Sequence, residues 1–105
     1  MKKLRKDITP EEVQVLIKDI LGGMAELLVD KNKKYGNSAL QPEKIFYKGD
    51  SLSSILVRLN DKISRIKNNP DPVPRLNDCA DIIGYLTLLL ISMGVTRKNI
   101  LALKD

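Results

Sequence analysis

Residues 82–95, with the sequence IIGYLTLLLISMGV, form a strongly apolar stretch that decides the fold of this chain. The stretch is shorter than the ~20 apolar residues that a helix needs to cross a bilayer, and two aspartates come just before it. It therefore predicts a buried central helix, running from about Arg75 to Met93 and ended by Gly94. Such a helix needs other amphipathic helices to cover it.

A first covering helix is predicted from Pro10 to about Lys34. Thr9 is a good N-cap, and Glu12 completes the pattern of a capping box. Helical spacing then relates the apolar residues Val13, Leu16, Ile17, Ile20, Leu21, Met24, Leu27 and Leu28. Gly22-Gly23 interrupts this pattern, and the pair is compatible with a kink, a close helix contact or a break between two helices.

A second covering helix is predicted to start at Ser51, after a polar loop that is long for a domain of this size. Its apolar stripe consists of Leu52, Ile55, Leu56, Leu59, Ile63 and Ile66. Prolines at 70, 72 and 74 then make a stiff, non-helical connection to the central helix. With a short last helix capped by Thr96, the 105 residues predict a single all-α domain, a bundle of three to four helices completed by oligomerisation.

The composition excludes several kinds of chemistry. The chain has no histidine, which excludes His-based catalysis and His metal ligands. Its one cysteine, Cys79, cannot form an internal disulfide or a Cys-rich zinc site, and the absence of a signal peptide then predicts a reducing cytoplasm. The formal charge of +5 attracts phosphates, whether of a nucleotide, a nucleic acid or a lipid.

Three aspartates are the strongest candidates for a functional site. A short connection favours an antiparallel pair of helices, so Asp61 before it and Asp78 and Asp81 after it fall at a similar height. Carboxylates placed together need a cation, and oxygen-only ligation suits Mg²⁺. Nearby Arg58, Lys62 and Arg65 are placed to meet the phosphates of a substrate, and with the three aspartates they form the candidate catalytic centre.

Two of these aspartates also have ordinary structural explanations. A carboxylate in the first turn, such as Asp78, favours the helix dipole, and Asp61 can pair with Arg58 or Arg65 on a solvated face. Asp81 argues against the ordinary interpretation, because Ile82-Ile83 follow it and a partly buried carboxylate needs a partner.

The end of the first helix adds further candidates. Glu26, with Asp30 one turn later, would complete a metal site from a third helix, or the two form an exposed acidic pair beside Lys31. Tyr35 would stack on a base or bury its own ring. Asn32 and Asn37 would hydrogen-bond a base or sugar, or terminate the helix; Lys31 would lie with them on the base or sugar side.

Three segments, in this order, resemble small MazG-like proteins of phages and bacteria. Residues 31–38, KNKKYGNS, resemble the family's KNxDYGNS segment. Residues 56–67, LVRLNDKISRIK, are similar to its RxxDKxxRxKN helix, and residues 78–86, DCADIIGYL, to its DxxxDLAGY helix, with a tighter acid spacing. Together the segments lie within 26–93, which is most of the chain.

The resemblance implies an all-α nucleoside triphosphate pyrophosphohydrolase, assembled as a homodimer or homotetramer. The implied activity is Mg²⁺-dependent hydrolysis of a nucleoside or deoxynucleoside triphosphate to the monophosphate and pyrophosphate. Asp78 and Asp81 would stand for the acids of the family's ExxD helix, and Asp61 for one acid of its ExxE helix. Arg58 stands where the second ExxE acid falls, so Glu26 or a neighbouring subunit would have to supply the fourth ligand.

Two other functions stay open. The +5 charge and the basic residues before Asp7 also suit a nucleic-acid-binding module, although no helix-turn-helix pattern is present. A helical interaction protein without chemistry would carry the same helices with replaceable aspartates.

Overall fold

The structure is a computed structural model that describes residues 5–36 and 51–104. All its elements are helices: α1 (Pro10–Tyr35), α2 (Ser51–Lys67), α3 (Leu76–Ser92) and α4 (Arg97–Leu101). The predicted all-α architecture and the order of its helices are confirmed. No helix within the two described ranges is both long and apolar enough to span a bilayer.

Helix α1 begins and ends where local chemistry dictates. The Thr9 hydroxyl accepts a hydrogen bond from the Glu12 backbone N–H at 3.1 Å, as the cap prediction requires. The same hydroxyl lies 3.0 Å from the Glu12 carboxylate, to which it donates, so the capping box is only half formed. Gly36 ends the helix with a φ of 63°, a backbone conformation that glycine adopts without strain.

Gly22 and Gly23 lie inside α1 without breaking it. Of the possibilities left open by the sequence, a break into two helices is wrong. A Cβ built on either glycine would meet nothing within 4 Å, so neither one marks a close contact with another of the described helices.

The core lies between α2 and α3, which pack as an antiparallel hairpin. Ile55 is fully buried and Leu59 is 7% exposed, and both lie on the apolar stripe predicted for α2. The connection is held by two side-chain turns: Asn69 Oδ1 accepts from the Asp71 N–H at 3.2 Å, and Asp71 Oδ1 accepts from the Val73 N–H at 2.9 Å. These turns fix the course of the short connection between α2 and α3.

The end of the chain follows the predicted pattern. Gly94, with a φ of 74°, terminates α3. Thr96 then caps α4 with a complete capping box, in which Thr96 Oγ1 accepts from the Asn99 N–H and Asn99 Oδ1 accepts from the Thr96 N–H.

Helix α1 packs differently from the hairpin. It contacts α3 but not α2, and none of its residues is buried. The contact with α3 includes Leu28, whose Cδ2 lies 3.1 Å from the position that a Cβ on Gly84 would occupy. Gly84, itself buried, is therefore the position in α3 that lets α1 approach closely.

Candidate functional site

A cavity of about 400 Å³ opens between the carboxyl-terminal half of α1 and the α2–α3 hairpin. Its volume falls in the range of small-molecule sites. Apolar side chains form most of the wall, with charged, amide and aromatic groups placed among them. The lining comprises Met24, Leu27, Leu28, Lys31, Asn32, Tyr35, Gly36, Arg58, Ala80, Asp81, Gly84, Tyr85 and Leu88.

Asp81 is the acidic residue of this cavity, and two lysines neutralise it. Lys62 Nζ lies 2.9 Å from Asp81 Oδ2, and Lys31 Nζ lies 3.9 Å from Asp81 Oδ1. The hairpin brings Lys62, late in α2, level with Asp81, early in α3. The prediction that Asp81 is partly buried and has a partner is confirmed, since its side chain is 28% exposed.

The same contact affects Lys62. Its ammonium donates a hydrogen bond to the Asp81 carboxylate, which favours the charged form and raises the pKa of Lys62 above its ordinary value. Lys62 therefore presents a fixed positive charge beside the cavity at neutral pH. The sequence predicts Lys62 to be a cation close to the candidate aspartates, and Lys62 does lie beside Asp81.

Arg58 and Tyr85 form the aromatic part of the wall. The guanidinium carbon of Arg58 lies 5.9 Å from the centroid of the Tyr85 ring, within the range of a cation–π interaction. Arg58 thus lies over an aromatic ring in the wall of the cavity. This arrangement offers a planar, cationic surface to a ligand.

The end of α1 supplies the remaining polar groups. Tyr35 is 67% exposed and lines the cavity, so the alternative that it buries its ring is wrong. The Asn32 side-chain amide donates to the Gly36 backbone carbonyl at 3.2 Å. The Asn32 backbone carbonyl accepts from the Gly36 N–H at 2.7 Å. Asn32 therefore has both roles: it terminates the helix and it lines the cavity. Asn37 lies outside the described residues.

Asp61 does not line this cavity. Its side chain is 63% exposed and pairs with Arg65 one turn later, at 3.6 Å between Oδ2 and Nη2. The Arg65 side chain is 58% exposed, so both residues form the ordinary surface ion pair that the sequence offered as an alternative. Exposed pairs of this kind contribute little to stability.

Asp78 is buried, with 6% of its surface exposed, yet it is not among the cavity-lining residues. It lies in the first turn of α3, where the partial positive charge of the helix amino terminus favours a carboxylate. Its position agrees with the helix-dipole alternative.

Glu26 is exposed and does not line the cavity. It precedes cavity-lining Leu28 by two residues, which places it about 200° away around the helix. Asp30, one turn later, is also exposed. The alternative of an exposed acidic pair therefore describes these two residues in α1.

The described ranges were compared with the acidic site that the sequence predicts for Mg²⁺. No group of three or more acidic or cysteine side chains there is arranged to hold a metal. Asp81, the one predicted ligand that lines the cavity, already has its charge neutralised by Lys62 and Lys31. Among the described acids, only Asp81 is therefore placed to meet a cation inside the cavity.

Sequence reasoning missed several residues that shape the cavity, chiefly Gly84, Tyr85 and Leu88 on α3 and Met24 and Leu28 on α1. A signal was present in α3. Asp81, Gly84, Tyr85 and Leu88 follow helical spacing, which places all four on the same face of α3.

No family model, no curated protein and no solved structure matches this chain.

Proposed function

We propose that this chain binds a nucleotide in the cavity between α1 and the α2–α3 hairpin. The observation that carries the proposal is the combination of an apolar wall, the Arg58–Tyr85 pair and Lys31 in one cavity of about 400 Å³, with Lys62 bound to Asp81 beside it. A base needs an apolar or aromatic surface for stacking, and phosphates need cations. A nucleotide needs an aromatic or apolar surface and a cationic group within the same small cavity, and few other classes of ligand do.

The aromatic side would receive the base. Tyr35 and Tyr85 both line the cavity, and each has a ring of the kind on which a base stacks. The guanidinium of Arg58 adds a planar cation to the same wall. In this proposal Arg58 contacts the base, whereas sequence reasoning assigned it to the phosphates.

The lysines would receive the phosphates. Lys31 is 53% exposed and 3.9 Å from Asp81, so this pair is loose and exposed to solvent. An incoming phosphate can replace Asp81 as the partner of Lys31 without the cost of stripping a buried charge. Lys62, at 2.9 Å, stays with Asp81 and adds its field to the site.

We further propose that the bound nucleotide is a nucleoside or deoxynucleoside triphosphate that is hydrolysed to the monophosphate and pyrophosphate. Water would add to the α-phosphorus, and the bond between the α-phosphorus and the bridging oxygen would break, releasing pyrophosphate. The sequence resemblance to MazG-like proteins supports this step. The Mg²⁺ that the resemblance implies finds no complete set of ligands among the described residues, so hydrolysis would require ligands from elsewhere in an assembled homodimer or homotetramer.

Binding is tested by isothermal titration calorimetry with the four deoxynucleoside triphosphates. Lys31→Ala and Tyr85→Leu should each weaken the Kd about tenfold, which corresponds to ~1.4 kcal/mol. Lys33→Ala is the matched control, because Lys33 is an exposed lysine of α1 outside the cavity. Equal losses in Lys31→Ala and Lys33→Ala would reduce the effect to net charge and remove the cavity from the proposal.

Hydrolysis is tested separately by pyrophosphate release in the presence of Mg²⁺. Asp81→Asn should abolish turnover, and Asp61→Asn should leave it unchanged, since Asp61 lies outside the cavity. Binding without any turnover in the wild-type protein would identify a non-catalytic nucleotide-binding protein. Loss of turnover in both variants would show that the two aspartates act together, as the sequence first suggested.

A further inference from the structure

Helix α4 carries a shallow groove that is separate from the cavity between α1 and the hairpin, since the two share no lining residue. The groove is lined by Arg97, Lys98, Leu101 and Ala102. Leu101 follows Arg97 by four residues and Lys98 by three, so both cations are its neighbours on one face of the helix. The groove therefore presents an apolar side chain between two positive charges.

Two leucines in and after α4 are the most exposed large apolar side chains of the described residues. Leu101 is 72% exposed and Leu103, two residues later, is 74% exposed. A scattered exposed leucine is normal at a protein surface, but neighbouring ones form a patch that more often marks an interaction site. Covering them removes apolar surface from water, which favours a partner with an apolar side chain of its own.

No other described helix packs against α4. Its position is set by local hydrogen bonds instead: the capping box of Thr96 and Asn99 starts the helix, and the Val95 N–H donates to the Leu90 carbonyl at 3.0 Å. These bonds involve none of the side chains that line the groove. The groove is therefore held in place by the end of α3 and stays open within the described part of the chain.

The charge around the groove is positive, and no acidic residue opposes it nearby in the sequence. Residues 82–104 contain three cations, Arg97, Lys98 and Lys104, and no acidic residue. The ion pairs of the described residues lie on α1, α2 and α3, and none of them includes one of these three cations. Cations that no neighbour neutralises attract an anionic partner and accelerate its association.

We propose that the α4 surface, which consists of Arg97, Lys98, Leu101, Leu103 and Lys104, binds an acidic amphipathic segment of another protein. Such a segment would pack an apolar side chain against Leu101 and place carboxylates against Arg97 and Lys98. A helix carries its own apolar and acidic residues at spacings of three and four, which match the spacings within the groove. An apolar centre with charged residues around it is also the usual anatomy of a protein–protein interface.

Two other anionic partners would use only part of this surface. Nucleic acid offers phosphates to the cations, but single-stranded bases stack on aromatic side chains, and residues 86–104 contain none. An anionic lipid surface favours helices whose cations and apolar residues lie on opposite faces, whereas Leu101 lies between Arg97 and Lys98 on one face. An acidic protein segment satisfies both the leucines and the cations.

The test is a selection of random peptides, displayed on phage, on the whole immobilised chain. Enriched peptides should carry Leu, Ile or Phe with Asp or Glu at the same three- and four-residue spacings. Added as a synthetic peptide, one of them should shift the amide NMR signals of residues 97–104. Enriched peptides without the acidic pattern, or signals that shift only in α1, α2 and α3, overturn the proposal.

Exposed side chains provide variants that should leave the fold intact. Leu101→Ser and Lys98→Gln should each weaken the Kd of the enriched peptide about tenfold in fluorescence anisotropy. The matched controls are Val15→Ser and Lys33→Gln, which change a 68% exposed valine and an exposed lysine of α1, and both should bind as the wild type does. Equal losses in Lys98→Gln and Lys33→Gln would reduce the effect to net charge and overturn the proposal.

Binding of the other anionic partners is measured with duplex DNA and with vesicles that contain phosphatidylserine. Neither should bind in a way that Leu101→Ser weakens. If either loses affinity in both Leu101→Ser and Lys98→Gln, the α4 surface belongs to that partner and the proposal is overturned. The result does not depend on the proposed nucleotide binding, because the groove and the cavity share no lining residue.

Discussion

The α2–α3 hairpin and α1 are both amphipathic, but only the hairpin buries its apolar residues. Ile55 and Leu59 of α2 are enclosed by the hairpin, whereas α1, the longest helix described, has no buried residue. The difference follows from connectivity, because a short proline-rich connection holds α2 beside α3 and no such connection joins the described part of α1 to either. The hairpin thus contains the buried apolar core of the described residues, and α1 carries exposed apolar residues and half of the candidate site.

The largest effect should come from the core of the hairpin. Ile55→Ala removes a fully buried side chain and should lower the free energy of unfolding by about 2–5 kcal/mol. Leu56→Ala, next in sequence and 48% exposed, is the control and should cost far less. Urea denaturation followed by circular dichroism measures both, and similar midpoints for the two variants would contradict the placement of the core.

Substitutions at two glycines should change stability by intermediate amounts, with opposite signs at the α1–α3 contact and in the uncovered part of α1. Gly84→Val should destabilise by about 1–3 kcal/mol, because its side chain would meet Leu28 where α1 crosses α3. Gly22→Ala should instead stabilise by about 1 kcal/mol, since it adds helix propensity in open space. Thermal unfolding compares the two, and a destabilising Gly22→Ala would indicate a close contact at that point in the assembled protein.

The smallest effect concerns pH. The raised pKa of Lys62 means that its contact with Asp81 stabilises the fold fully below the ordinary pKa of 10.5. The contribution is lost as pH rises through the higher folded-state pKa. Lys62→Met should therefore flatten the loss of stability above pH 10.5, whereas Lys33→Met, outside the cavity, should keep the wild-type slope. Equal slopes in urea titrations of the wild type and Lys62→Met would contradict the contact.

Much of the local structure was predictable because its causes are local. The Thr9 cap, the proline connection and the Gly94 terminus each act within a few residues, so their signals are legible in the sequence. The helical hairpin followed from one short connection between two amphipathic segments. The continuity of α1 through Gly22-Gly23 was less certain, since two glycines weaken a helix without specifying a break.

The candidate site was predicted in part. Asp81, Lys62, Arg58, Lys31, Asn32 and Tyr35 do lie at or beside the cavity. Equal height in a hairpin placed Asp61 and Asp78 with them, but height along a helix does not fix the direction of a side chain around its axis. That direction puts Asp61 on the outer surface and leaves Asp78 outside the cavity lining.

By itself the sequence determined the helices, their order and the hairpin, because capping, proline geometry and apolar spacing act over one or two turns. Only the tertiary structure decided which carboxylate enters the cavity, that Gly84 admits Leu28, and that the start of α1 has no neighbour among the described residues. These features depend on how helices rotate and cross, which is set by side-chain packing across the whole domain. No local signal encodes that packing.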